Sequence, residues 1–94
     1  MLAIIATVKV KPGMEQEFEA EAKDLAAKVN ASEPGCKLYT LCRSETPGIY
    51  VFMERYVDQA AVEAHRATAH YKDVGRKIGK YVEGPVEVQR LTEL

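Results

Sequence analysis

The chain has 94 residues, 47% of them hydrophobic and 29% charged, with 13 Lys and Arg against 14 Asp and Glu. That length holds one domain, 1–94, and no second core. The formal charge of −1 argues against nucleic acid and anionic membranes, which select strongly basic faces. No apolar run approaches the ~20 residues of a membrane span. Met1–Ile5 lacks the basic region and cleavage site of a signal peptide, so a cytoplasmic setting is expected. Nearly half the residues are apolar, more than one small core hides.

In chain order, Leu2 to Lys11 reads as a strand. Leu2, Ile4, Ala6, Val8 and Val10 lie on one side, and Ala3, Ile5 and Thr7 make the other side largely apolar too. Pro12-Gly13 ends it. A helix is predicted from Met14 to Ala31, with Phe18, Ala22, Leu25, Ala26 and Val29 at helical spacing and Glu15, Glu17 and Glu19 near its N-terminus. Pro34-Gly35 turns the chain into a hairpin of two strands, Cys36–Arg43 and Ile49–Tyr56. In the second strand Ile49, Val51 and Met53 face one way, and Tyr50, Phe52, Glu54 and Tyr56 the other.

Asp58 is placed to cap a helix over 59–67, and Thr68 to cap another over 69–82. The second of these would bury Tyr71, Val74, Ile78 and Tyr81 or Val82. Gly75 and Gly79, four apart, read as allowing close helix packing. Gly84-Pro85 breaks the helix, and Val86 to Leu91 alternates like a last strand. The order β-α-β-β-α-β, with its second helical region split, is α+β and ferredoxin-like: an antiparallel sheet with helices on one face. Apolar residues on both faces of the first and third strands leave a bare face, for which a second copy is the expected cover.

Cys36 and Cys42 belong to one strand, roughly 20 Å apart at strand rise. That is too far for a disulfide, and both are expected to be buried thiols.

The groups able to carry chemistry are His65 and His70, Glu54, tyrosines 39, 50, 56, 71 and 81, and arginines 43, 55 and 66. The histidines fall at the junction of the two helical pieces, either packed and capping or placed for acid–base work. Their i, i+5 spacing does not put both rings on one helix face, and Glu54 is the one carboxylate that can be argued towards them. No metal site is therefore expected. Glu54 shares its face with Tyr50, Phe52 and Tyr56. Against the helices it would sit in an aromatic cleft with a raised pKa; at the strand end it would pair with an arginine or reach solvent. No GxSxG elbow, Gly-rich phosphate loop or Asp cluster is present.

Glu33-Pro34-Gly35-Cys36, then Val51-Phe52-Met53-Glu54-Arg55-Tyr56, then Ala64-His65-Arg66-Ala67-Thr68-Ala69-His70-Tyr71 together resemble the antibiotic biosynthesis monooxygenase (ABM) family, in particular its YgiN-like quinol monooxygenase branch. The resemblance implies a dimeric α+β barrel with a ligand cleft between sheet and helices. It implies oxidation of a small electron-rich aromatic, such as a quinol, by molecular oxygen without metal or flavin. His65, Glu54 and His70 match the family's recurrent polar positions and become the expected catalytic groups. Tyr50, Phe52, Tyr56 and Tyr71 become the expected substrate contacts. Tyr56 stands where many relatives carry Trp, and Ala69 where many carry Pro. Haem-degrading relatives carry an Asn in the first strand and a Trp near the cleft; here Thr7 sits near the first place and the chain has no Trp.

The expectation is thus a cofactor-independent monooxygenase for an uncharged or weakly acidic aromatic. An isomerase or other proton-transfer enzyme on a small carbonyl or enol stands beside it, as does a non-catalytic small-ligand-binding dimer of a stress response.

Overall fold

The computed structural model describes residues 1–94. Its elements are β1 (Leu2–Lys9), α1 (Glu15–Ser32), β2 (Cys36–Arg43), β3 (Ile49–Tyr56), α2 (Gln59–Ala67), α3 (Ala69–Ile78) and β4 (Glu87–Thr92). The strands form one antiparallel sheet in the order β2-β3-β1-β4, the ferredoxin-like arrangement. Residue pairs such as Ile4–Glu54, Ala6–Phe52 and Val8–Tyr50 fix the register of the two central strands. These pairs carry the buried side chains of both strands onto the helical face. No helix is long and apolar enough to cross a membrane.

The core lies between that face and the helices. Phe18, Ala22, Leu25 and Val29 of α1 pack with Ile4, Val8, Tyr39, Phe52 and Tyr56 of the sheet and with Val62 and Val74 of α2 and α3. Their spacing of three and four residues makes one apolar stripe of α1. The opposite sheet face has no helical cover. Ala3, Ile5, Thr7 and Val51 are half-buried there, and Met53 is exposed.

Local chemistry explains the element ends. Pro34 disfavours helical geometry at the residue before it. Glu33 accordingly takes an extended conformation (φ −112°, ψ 91°) as the C-cap of α1. The Asp58 carboxylate accepts from the Ala61 N–H at 2.9 Å and starts α2. Between the next two helices, the Thr68 hydroxyl donates to the His65 carbonyl at 2.7 Å and accepts from the Tyr71 N–H at 3.2 Å. One side chain thus closes α2 and opens α3, which brings the last turn of one beside the first turn of the other.

Four expectations need correction. The last helix ends at Ile78 rather than Val82. The N–H groups of Lys80 and Tyr81 bond three residues back, which tightens the turn, and the chain then runs along β1. There Lys11 donates to the Tyr81 carbonyl and Glu83 donates to Lys9, so Val82 meets Val10 in an isolated bridge. Tyr71 is not buried by α3 but 37% exposed. Of the two thiols only Cys36 is buried. It donates to the Leu38 carbonyl, and burial pushes its pKa up to about 11. Cys42 lies on the open sheet face, 3.7 Å from the Met53 sulfur. Finally, a Cβ built on Gly75 would meet nothing within 4 Å, so this glycine does not serve close packing.

Candidate active site

A cavity of about 860 Å³ opens between the sheet and α3. Ile4, Ala6, Val8 and Phe52 form its apolar floor, and Glu54, Tyr56, Tyr39 and His65 bring polar groups into it. Alternation on β3 places Phe52, Glu54 and Tyr56 on this one face. Tyr39 arrives from β2 because it is paired with Glu54 across the ladder.

His65 is almost fully buried, at 3% exposure. Its ring packs against three tyrosines, with centroids 5.1 Å from Tyr39, 5.6 Å from Tyr56 and 4.9 Å from Tyr71. Nδ1 lies 2.9 Å from Glu33 Oε1, and His70 Nε2 lies 2.5 Å from Glu33 Oε2. A carboxylate only accepts, so both rings donate an N–H to Glu33. That assigns the His65 proton to Nδ1 and leaves Nε2 with its lone pair, on a ring that lines the cavity. Burial pushes the His65 pKa below its ordinary value, against the raising effect of Glu33. The neutral imidazole is therefore favoured, poised to take a proton.

Glu33 sits at the C-terminal end of α1, where the helix dipole disfavours negative charge. The two imidazole N–H groups offset that cost and fix the carboxylate. Glu33, His65 and His70 offer three potential metal-ligand atoms within 4.8 Å of one another. In the structure, direct hydrogen bonds occupy these atoms.

Glu54 is 9% exposed and accepts from the Tyr56 hydroxyl at 2.6 Å. Burial raises its pKa, while the Tyr56 hydrogen bond and the Arg66 charge oppose the rise. Burial likewise pushes the phenols of Tyr39 and Tyr56 up, so both stay protonated as donors.

The structure therefore brings His65, Glu54, Phe52, Tyr56 and Tyr71 to one cavity. It does not bring His70 or Tyr50 there. His70 stands behind Glu33. The Tyr50 hydroxyl donates to Glu19 at 2.5 Å, beside the Arg43–Glu19 ion pair at the other end of the sheet. Glu33, not Glu54, is the carboxylate that joins the two histidines. Its signal in the sequence was an acid directly before the proline that ends α1.

Comparisons with known proteins identify the family. The profile of the family described as "Antibiotic biosynthesis monooxygenase" matches residues 1–77. YcnE of Bacillus subtilis, named as a candidate monooxygenase, is 31% identical over 94 residues, covering 100% of this chain and 98% of that protein. Rv0793 of Mycobacterium tuberculosis, similarly named, is 30% identical and covers 99% and 91% of the two chains. Among solved structures, a candidate antibiotic biosynthesis monooxygenase from Caulobacter crescentus superposes with a TM-score of 0.96 at 38% identity, covering 99% of this chain and 89% of that one. The chain belongs to the antibiotic biosynthesis monooxygenase family.

Proposed function

We propose that the protein is a cofactor-independent monooxygenase of the quinol-oxidising kind, acting as a cytoplasmic homodimer on a small electron-rich aromatic. The observation that carries this reading is the Glu33–His65 pair, which engages Nδ1 of a ring that lines a cavity rich in aromatic side chains. His65 takes the proton of a substrate phenol, and Glu33 stabilises the imidazolium that forms. The neutral Tyr39 hydroxyl donates to the phenolate oxygen. The electron-rich ring then reduces molecular oxygen, which adds to a ring carbon as a hydroperoxide. Loss of water completes the step: one oxygen atom stays on the product quinone, and the other leaves as water. Glu54, whose carboxyl burial pushes above its ordinary value and which lines the same cavity, relays to the departing hydroxide the proton that the ring carbon gives up. Two unpaired thiols suit a reducing compartment.

The test is oxygen uptake with a panel of hydroquinones and anthrones. Wild type should consume one O2 per substrate, and His65→Ala should lose about 10²–10⁴-fold in kcat, the usual contribution of a general base. Unchanged turnover in His65→Ala, with the protein still folded, would overturn the assignment. The same two groups also suit proton transfer on a carbonyl or enol, since an imidazole and a carboxyl whose pKa burial raises line one cavity. Turnover that proceeds without oxygen would favour that isomerase reading.

A further inference from the structure

The groups that line the cavity are not balanced in charge. Arg66, Lys72 and Arg76 stand around it, and Glu54 is the only acid among its lining residues. The whole chain carries slightly more acids than bases, so composition does not explain the local excess. Arg66 and Lys72 make no ion pair, whereas Arg43, Arg55, Lys28 and Lys77 each find a carboxylate. Arg76 touches only Asp73, through an exposed contact at 3.3 Å.

Gly75 of α3 and Gly79, its C-cap, also line the cavity. A glycine inside a helix is destabilising relative to alanine, and at Gly75 no packing need offsets it. What the missing side chain leaves is open space beside the helix. Among the polar side chains that line the same cavity and are more than nine-tenths buried are His65 and Tyr39. No fully buried side-chain polar atom lacks a partner. The His65 Nε2 and the Tyr39 hydroxyl make no bond within the protein, so both open onto the cavity rather than into the core.

Resting on the monooxygenase reading, we infer that the substrate is a hydroxylated aromatic carrying an acidic substituent. Its ring lies along Gly75 and Gly79, its hydroxyl meets His65 and Tyr39, and its anionic group is held at the mouth by Arg66, Lys72 and Arg76. This replaces the uncharged or weakly acidic ligand expected from net charge alone. The cations are exposed, so the preference is moderate and sensitive to salt.

The experiment is calorimetric binding under anaerobic conditions of 2,5-dihydroxybenzoate and its methyl ester, which share a ring and differ in charge. The acid should bind about ten-fold tighter than the ester at low salt, the scale of a few partly exposed charge contacts. That advantage should shrink in 0.5 M NaCl. It should vanish in the Arg66→Gln, Lys72→Gln, Arg76→Gln variant, with ester affinity retained. Equal affinities in wild type, or a preference that survives in the variant, would overturn the inference. Binding needs no turnover, so the two readings fail separately. A charge preference without oxygen uptake on any phenol sinks the monooxygenase, and oxygen uptake without a charge preference sinks the anionic subsite.

Discussion

At the scale of single residues, the site turns on Glu33. Its carboxylate accepts from His65 Nδ1, 32 positions away, and from His70 Nε2, 37 positions away. In Glu33→Gln the amide oxygen still accepts a hydrogen bond, but the charge that favours the His65 cation is gone. Burial and the nearby Arg66 charge then act on His65 unopposed, and its pKa should fall further below its ordinary 6.5. The acidic limb of kcat/KM, which follows the base in the free enzyme, should move to lower pH. Its plateau should drop about 10²-fold or more, because the imidazolium is no longer stabilised. A pH–rate profile checks both movements. A limb that stays in place, or rises, would show that Glu33 does not act through His65. The histidines and Glu54 were legible in the sequence as polar residues amid apolar ones. Glu33 was legible only as the acid before a helix-ending proline, because its role depends on two contacts that the fold alone creates.

Elements show the same division. The strands and α1 were readable because their periods of two and 3.6 residues are imposed by burial. The C-terminal end of α3 was not. The pattern Tyr71, Val74, Ile78, Tyr81 continues a helical stripe, yet pairing with the edge of β1 takes the chain after Ile78. Two glycines separate packing from cavity in a testable way. At Gly35 an added Cβ would lie 2.7 Å from the Ala61 Cβ, so Gly35→Ala should push the Glu33 turn off α2. Overpacking of this kind costs about 1–3 kcal/mol. At Gly75 the added Cβ meets only open space, so Gly75→Ala should stabilise α3 by about 1 kcal/mol. It should also weaken binding of the aromatic ligand by narrowing the cavity. Denaturant unfolding and ligand titration on the two variants measure this. A Gly75→Ala protein that is destabilised, or that binds as wild type does, would contradict the role given to the bare strip.

At the scale of the molecule, the surplus of apolar residues has a location: the sheet face that the helices leave open. Met53 lies near its middle, paired with Ile5 on β1 and Thr40 on β2, and is 43% exposed. Leu91 of β4, beside Ala3, is 40% exposed on the same face. The alternation that buries Tyr50, Phe52, Glu54 and Tyr56 against the helices sends Ile49, Val51 and Met53 to this side. The apolar character of both faces was therefore visible in the strand pattern alone. A sheet face of this composition is unfavourable in water, and a second copy of itself covers it most simply. In sedimentation at micromolar concentration the protein should run as a dimer. Met53→Lys should shift it to monomer, because an ammonium group placed in a dry interface loses its hydration without gaining a partner. Met53 lies outside the core of the protomer, so the variant should keep its fold, and the far-ultraviolet circular dichroism spectrum verifies that. Wild type sedimenting as a stable monomer would leave the sheet face uncovered and the dimer proposal without support. Met53→Lys remaining dimeric would move the interface elsewhere, to the exposed β4 edge, where Val88 and Val86 also border the mouth of the cavity. That second geometry would make the partner a wall of the active site, so activity should then fall on dilution in step with dissociation. Face-to-face sheets instead bury the side remote from His65 and Glu54, and each protomer should keep its intrinsic turnover when separated.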